Sequence, residues 1–344
     1  MAQHSAPEAP QPMEPKRSLK RGAGLLMSLS ALSILSLVFM AIWVNWEKPR
    51  QAAEPLTPEV KNLVDRIPST TDALIYIGMK DIRQSRLWQE VIPDSLKQAP
   101  LFQPTGELAT LLERSTINPS KDIDTLLISF KRHGYKEQLF LAIASGNLQT
   151  KLPKAMQAGN HETLGGHSCY SFGSSLWFSQ LNSRRVVLSN SKELLGNFLQ
   201  PQGSFLQRDS LTTTLIDKAR YKSHLWFALP SAAWTSGALQ SLTSSNKDVK
   251  SIGNLNRIKH LTLSVNFKDG IEAESEWLYE SNQAAYFAST FLWGAIQLPR
   301  LSEKNEQTRA LLDNIAIQQN LNSVIIHTAL PLQIFQTAKE QPAP

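Results

Sequence analysis

The residues best suited to chemistry lie close together in the segment HETLGGHSCY, which contains two histidines, a glutamate and the only cysteine of the chain. Imidazole and thiolate are good zinc ligands, and a strand would place His167 and Cys169 on one face. His161 and His167 lack the H-E-x-x-H spacing of a helical zinc site, however, and the glycine pair between them indicates a turn. We interpret the segment as a polar hairpin and predict no metal centre. The residues that come nearest to a ligand set are His161, His167 and Cys169.

Other catalytic signals are missing from the sequence. A nucleophilic Cys169 would need a basic partner supplied by the fold, and a free cysteine is usually a small buried hydrophobe. Asp122 and Asp124 are interpreted as turn and strand-entry residues rather than an acid/base pair, because no partner group is evident. The chain has no nucleophile elbow, P-loop or dinucleotide glycine motif. We therefore predict no catalytic residue and no cofactor, although an enzyme with an unrecognised site stays a third hypothesis.

One hairpin in the second half can be predicted to the residue. A two-residue Asp-Gly turn would place a carboxylate opposite Phe267 in the core. A three-residue loop instead pairs Phe267 with Ile271, Val265 with Ala273 and Leu261 with Trp277, so that the register follows the apolar face. We predict this longer loop, with Gly270 at its left-handed position.

The other face of this hairpin carries the glutamates Glu272, Glu274 and Glu276. Such a row of carboxylates has the chemistry of a cation site. Alternation alone, however, places polar residues on the solvent side of an antiparallel sheet. We therefore predict that all three glutamates lie on a solvated outer face.

These segments belong to an order of elements that occurs twice. Each half begins with a strand and a helix, continues through further strands and helices, and ends on a helix; the helices include residues 147–159, 231–242 and 281–298. Leu181-Asn182-Ser183 and Leu321-Asn322-Ser323 precede the last strand of each half, which indicates an internal duplication.

The order strand–helix–strand–strand–helix–strand is that of a split βαβ unit. The predicted fold class is α+β, with two ferredoxin-like (split βαβ) units of mainly antiparallel sheet, side by side or sharing one sheet, after one N-terminal transmembrane helix. The predicted domains are a disordered basic cytoplasmic tail (1–21), the transmembrane helix (22–46), a linker and short amphipathic helix (47–70), a first α+β unit (71–205) and a second (206–340).

The short amphipathic helix follows a polar linker of about ten residues that would tether it to the membrane. Thr57 is a good N-cap and Pro58 suits the first helical position. Apolar residues recur at helical spacing from Val60 to Ile67. We expect this stripe to dock on the globular part.

The stretch from Leu25 to Trp46 is interpreted as a retained membrane anchor. Residues 22–45 carry no charge, a helix of ~20 apolar residues spans a bilayer, and a signal peptide has a shorter apolar region. Trp43 and Trp46 suit the headgroup zone, and with Leu25 and Phe39 they are the predicted anchor residues.

Charge predicts the topology and excludes one class of partner. Three of the six net positive charges belong to the first 50 residues, so the remainder lacks the basic stripe of a nucleic-acid-binding protein. Four Lys and Arg residues precede the apolar stretch, and two follow it. This bias predicts a single-pass protein of the bacterial inner membrane, with the N-terminus in the cytoplasm and the C-terminal part in the periplasm.

The runs STTDALIYIGMKDIRQSRLWQEV, INPSKDIDTLLISF and LWFSQLNSRRVVLSNSKELLGNFL resemble uncharacterised bacterial envelope proteins with one membrane helix and an α+β ectodomain. The resemblance covers roughly residues 69–338 and implies location and fold but no activity. The leading functional hypothesis is a non-enzymatic envelope protein, contacting the bilayer through its N-terminal helix, whose periplasmic domain binds a protein partner, as an accessory subunit of a membrane complex would. The alternative is a binder of a small apolar ligand or lipid in a groove between the two units.

Overall fold

The computed structural model describes residues 18–68, 71–98, 106–115, 117–133, 137–148, 160–231 and 258–340. The chain divides into two compact units, Met1–Trp46 and Glu47–Pro344. The helices predicted for residues 147–159 and 231–242 lie almost entirely outside the described residues, as does most of the predicted N-terminal tail.

The first unit contains the helix α1 (Ser18–Asn45), whose side chains are described from residue 32 onward. Of the predicted anchor residues, Phe39, Trp43 and Trp46 are exposed, and the side chain of Leu25 lies outside the described part. In the part of the chain that the structure describes, no helix combines the length and the apolar run needed to cross a membrane.

Within the described residues, the second unit is built on one sheet of twelve strands. Its strands are β1 (Ala73–Ile77), β2 (Ile123–His133), β3 (Glu137–Gly146), β4 (Asn160–Leu164), β5 (His167–Phe172), β6 (Leu176–Asn182), β7 (Arg185–Ser189), β8 (Leu225–Leu229), β9 (Ile258–Asn266), β10 (Gly270–Tyr279), β11 (Ile315–Asn320) and β12 (Ser323–Pro331). Their order across the sheet is β11-β12-β10-β9-β8-β1-β2-β3-β7-β6-β5-β4.

Helices cover both faces of this sheet. They are α2 (Pro58–Asp65), α3 (Met79–Gln84), α4 (Asp94–Gln98), α5 (Gly106–Ser115), α6 (Pro119–Asp122), α7 (Lys192–Leu199), α8 (Phe205–Arg208), α9 (Ser210–Lys218), α10 (Asn282–Ser302), α11 (Glu306–Asp313) and α12 (Leu332–Glu340), with a π-helical turn at Leu87–Val91. Helices α2, α7, α8 and α9 pack on the face that we call face A, which carries Trp226. Helices α5 and α10 pack on face B, at opposite ends of the sheet. Helices α4, α5, α6, α8, α9 and α11 were not predicted.

The predicted fold class, two ferredoxin-like units after a transmembrane helix, is wrong. In a split βαβ unit the first two strands are parallel and a third strand separates them. Here β1 pairs directly and antiparallel with β2 on one side and with β8 on the other. The first strands of the two halves thus join them into one sheet, which leaves neither strand with a free edge.

The two halves nevertheless repeat one order of strand neighbours. The first half runs β1-β2-β3-β7-β6 away from the centre of the sheet, and the second runs β8-β9-β10-β12-β11. The shared Leu-Asn-Ser tripeptides lie at the corresponding hairpins, β6–β7 and β11–β12. Strands β4 and β5 extend the first half alone.

The amphipathic helix predicted after the linker is confirmed as α2. The Thr57 hydroxyl accepts a hydrogen bond from the Val60 backbone N–H, and Pro58 is the first helical residue. Val60, Leu63, Val64 and Ile67 are buried in the core of face A, where α2 helps to cover the sheet.

The predicted register of the β9–β10 hairpin is also confirmed. Val265 lies opposite Ala273, and Leu261 lies opposite Trp277. Gly270 has a φ of +146°, which is a backbone conformation that favours glycine. A Cβ at this position would lie 2.2 Å from the carbonyl oxygen of Leu330 on β12.

Replacing Gly270 with alanine is therefore expected to destabilise the domain by about 1–3 kcal/mol, the usual cost of a strained backbone position. The measurement is the free energy of unfolding from urea denaturation. Gly196→Ala is the matched control, because Gly196 lies within α7 and an added Cβ there meets no atom within 4 Å. An equal cost for both variants would contradict the proposed crowding at Gly270.

Candidate functional site

The candidate metal ligands lie on one edge hairpin, β4–β5. His161 faces Tyr170, with ring centroids 5.2 Å apart, and His167 pairs with Leu164. Cys169 is fully buried, its thiol lies 3.6 Å from the His167 carbonyl oxygen, and burial raises its pKa. Among the described residues, no three His, Cys, Asp or Glu side chains form a group that could hold a metal ion.

Asp124 sits in an ion-pair network at the start of β2. Its carboxylate accepts hydrogen bonds from Arg83 at 2.8 Å and from Arg184 at 2.9 Å. Asp122 accepts a hydrogen bond from the Asn118 backbone N–H at 2.6 Å. Both aspartates thus hold the loop that leads into the strand.

The prediction that the glutamates of β10 are solvated is wrong for Glu276, which is only 1% exposed. Arg50 binds its carboxylate through two hydrogen bonds, of 2.6 and 2.7 Å. Lys218 of α9 binds the same carboxylate at 2.5 Å. The neighbouring Glu274 lies 3.5 Å from Arg220. We call Glu276, Arg50 and Lys218 the buried charge cluster.

The cluster is buried because the segment predicted to be a free tether lies on face A of the sheet. The Lys48 backbone N–H donates to Asn320 at 2.9 Å, and the Lys48 ammonium donates to the Gln319 carbonyl oxygen at 2.6 Å. Further along, Glu54 accepts a hydrogen bond from the Lys222 backbone N–H at 2.7 Å. Residues 48–54 therefore form a strap, which together with α9 covers the polar side of β9 and β10.

Burial alone would raise the pKa of Glu276, but the hydrogen bonds and positive charges of Arg50 and Lys218 outweigh it and hold the pKa below its usual range. Glu276 is therefore ionised at neutral pH, and both of its oxygens are engaged. A general acid or base needs a pKa near the working pH and access to substrate. The arrangement stabilises the strap and does not provide acid/base chemistry.

A large apolar cavity lies between face B of the first half and helix α5. Its volume is about 570 Å³. Its floor is formed by alternate residues of β2, β3 and β7, and its roof by α5. The lining residues are Leu108, Leu111, Leu112, Ser115, Ile117, Pro119, Ile123, Leu126, Ile128, Phe130, Phe140, Ala142, Ala144, Leu148, Phe178, Val186 and Leu188.

A space of this size affects stability if nothing fills it. At ~24 cal/mol for each Å³, a sealed void of 570 Å³ would cost roughly 14 kcal/mol. That cost equals the whole stability of an ordinary domain, ~5–15 kcal/mol. The cavity is not such a void, because it is partly open to its surroundings and a ligand has access to it.

The roof of the cavity is fixed to the sheet by Glu107, in the first turn of α5. Its carboxylate accepts hydrogen bonds from the backbone N–H groups of Ser174, Ser175 and Leu176 and from both serine hydroxyls. These bonds, led by those from Ser174, lower the pKa of Glu107 to about 2. The carboxylate thus stays ionised and anchors α5 to the β5–β6 turn.

A second apolar cavity, of about 310 Å³, lies where the two halves of the sheet meet. It is lined from the first half by residues such as Ile77 and Trp88, and from the second half by Leu225, Phe267 and Ile271. This is where the groove between the two units was predicted. The larger cavity lies wholly within the first half.

Helix α10 exposes a row of large apolar side chains. Phe287, Phe291, Leu298 and Leu301 are 58%, 44%, 71% and 78% exposed. Their spacing places them on one side of the helix, and small residues such as Ala285 and Ala288 contact the sheet on the opposite side. We call these four residues the α10 stripe; Trp293 is also exposed, at 56%, but lies outside this side of the helix.

Comparisons with known proteins give no family and no activity. No family model matches the chain, and no curated protein matches it. Among solved structures, it resembles crystal form I of TP0453, with a TM-score of 0.43 and 9% identity over 86% of this chain and 98% of that one. Crystal form III of TP0453 gives a TM-score of 0.41 and 9% identity over 81% and 98%. At this level of similarity nothing about function can be transferred.

Proposed function

We propose that this chain is a non-enzymatic protein of the bacterial envelope whose sheet domain binds a protein partner through the α10 stripe. The observation that carries the proposal is the exposure of Phe287, Phe291, Leu298 and Leu301 on one side of a helix. Isolated exposed apolar residues are normal, but a contiguous row of large ones marks an interaction site.

The chemistry of the stripe favours a polypeptide partner. Aromatic side chains are the usual anchors of protein interfaces, and the stripe contains two of them, Phe287 and Phe291. The end of the helix carries an ion pair between Arg300 and Asp313, which suits the polar rim that surrounds an apolar interface centre. The partner surface is therefore expected to be an apolar groove or helix face.

The state of the charged residues supports a binding role rather than catalysis. Each carboxylate in these networks is paired with two cations: Glu276 with Arg50 and Lys218, and Asp124 with Arg83 and Arg184. Location at the inner membrane with a periplasmic domain, and the resemblance to uncharacterised envelope proteins, stay predictions.

Site-specific photo-crosslinking in intact cells tests the proposal. A photo-reactive amino acid at Leu298, in the full-length chain at native abundance, is expected to give one discrete adduct with a different protein. The aspartate variants Phe291→Asp and Leu301→Asp are expected to weaken that adduct at least about tenfold, because each places a charge in an apolar contact.

Leu211 on α9 is the matched control, since it is also an exposed leucine on a helix of the same domain, 38% exposed. The same photo-reactive residue at Leu211 should give no such adduct. An adduct with the mass of two copies of this chain would replace the proposed partner with self-association. The absence of any adduct at Leu298, or equal adducts at both positions, would refute the proposal.

A further inference from the structure

Among the described residues, those that line the cavity beneath α5 offer a ligand apolar contacts and no free side-chain hydrogen-bonding group. Ser115 is the only lining residue with a polar side chain. Its hydroxyl donates to the Leu112 carbonyl oxygen at 2.9 Å and accepts from the Ile117 N–H at 3.3 Å. A sugar, nucleotide or amino acid inside the cavity would lose its hydrogen bonds to water without replacement. Its occupant must be apolar where it is enclosed.

The shape of the floor is set by two small residues. Phe140, Ala142 and Ala144 alternate along β3, between Leu126, Ile128 and Phe130 on β2 and the residues of β7. The two alanines lie in the central strand of this floor, where larger side chains would fill the space that they leave. A volume of about 570 Å³ falls within the range of ~300–1,000 Å³ typical of small-molecule sites.

We propose that this cavity is a binding site for the alkyl chain of a lipid-like amphiphile, with its polar group left outside. Three observations favour a slender alkyl chain over a polypeptide segment. The space is covered by a helix that Glu107 anchors to the sheet. The side chains of its described lining residues offer no free partner to a peptide backbone. Its depth comes from missing side-chain volume at Ala142 and Ala144. This site is separate from the α10 stripe, so each can fail without the other.

The test measures binding of the fluorescent fatty acid dansyl-undecanoate to residues 47–344, the compact unit that contains the cavity. This unit lacks the predicted anchor and is prepared without detergent, because detergent tails would compete for the cavity. The wild-type chain is expected to bind the probe with saturation, and dodecanoate is expected to displace it. The double variant Ala142→Leu with Ala144→Leu should bind at least about tenfold more weakly, because its added side chains occupy the ligand volume.

Ala273→Leu is the matched control. Ala273 lies in β10 of the same sheet, away from the lining residues of the cavity, and its replacement should change the affinity less than about twofold. If both changes weaken binding equally, or if the wild-type chain does not bind the probe saturably, the proposal is wrong.

A thermal measurement separates loss of the site from loss of the fold. Dodecanoate should raise the melting temperature of the wild-type chain and of Ala273→Leu, because it binds only the native state. It should not raise the melting temperature of the double variant Ala142→Leu with Ala144→Leu. If the double variant does not fold, the single change Ala144→Val should lower the affinity by a smaller step while the melting transition remains. An Ala144→Val chain that folds and binds like the wild type would overturn the proposal.

Two sources of the alkyl chain can then be distinguished. If phosphatidylglycerol vesicles displace the probe as dodecanoate does, the site extracts chains from bilayer lipids. If only dodecanoate displaces it, the ligand is a free fatty-acid-like molecule. Both results support an alkyl-chain site, whereas displacement by neither would mean that the probe binds elsewhere.

Discussion

Replacing Glu276 with alanine is expected to lower the free energy of unfolding by about 3–5 kcal/mol, the cost of breaking a buried ion pair by removing one partner. The carboxylate is 1% exposed and forms ion pairs with both Arg50 and Lys218. Its loss removes the carboxylate that the two cations share and leaves Arg50 and Lys218 close together. The measurement is urea denaturation of the full-length chain at neutral pH.

The exposed ion pair between Lys192 and Glu162 is the control for this prediction. Both of its side chains are 46% exposed, and exposed pairs contribute only ~0–1 kcal/mol. Glu162→Ala should therefore change the free energy of unfolding much less than Glu276→Ala. Equal small effects would mean that the strap does not exclude water from Glu276.

The same cluster makes stability depend on pH in a defined direction. The pKa of Glu276 is lower in the folded state than its ordinary value, so its contribution is complete above the ordinary pKa of ~4.3 and is lost as the pH falls through the folded-state pKa. Glu107 acts in the same direction, since its folded-state pKa is about 2. The loss of stability in acid should therefore become shallower in Glu276→Ala without disappearing.

The sequence predicts those parts of the fold whose signals are local. The cap and apolar stripe of α2 lie within eleven consecutive residues, from Thr57 to Ile67. The register of the β9–β10 hairpin follows from matching apolar residues across one short loop. In both cases the residues that determine the structure are sequence neighbours.

The errors concern contacts between residues that are far apart in the chain. Glu276 occupies a polar position in the alternating pattern of β10, as a solvated residue would. Arg50, which covers it, is 226 positions away in the chain. Strands β1 and β8 pair although about 150 residues separate them. Their sequences, ALIYI and LWFAL, are apolar throughout, and such runs are typical of strands buried on both faces. That feature was the available signal for a continuous sheet.

The candidate sites were missed because the sequence shows which residues a helix or strand contains, but not which side of that element the rest of the fold covers. Helix α10 was predicted, but its large residues would ordinarily be assigned to the core. In the structure Ala285, Ala288 and Ser289 face the sheet, and Phe287 and Leu298 face outward. The cavity likewise depends on the position of α5 above Ala142 and Ala144, which no local pattern encodes.

Replacing Trp226 with alanine is the second large effect, with an expected loss of about 3–5 kcal/mol. Trp226 is fully buried on β8 and lies opposite Tyr76 on β1, with stacked rings 5.6 Å apart. This pair lies where the two halves of the sheet meet. Removing the indole leaves a void at that junction and takes away the aromatic contact that crosses it.

The variant Trp226→Phe separates the role of the ring from that of its N–H group. The indole nitrogen is buried and has no hydrogen-bond partner among the described residues, so phenylalanine removes an unsatisfied donor while it keeps most of the packing. Trp226→Phe should therefore cost much less than Trp226→Ala.

Because β1 and β8 join the halves into one sheet, residues 47–344 should also unfold in a single transition. If wild-type denaturation instead shows two separate transitions, with Trp226→Ala shifting only one of them, the halves are independent and the proposed coupling through this junction is refuted.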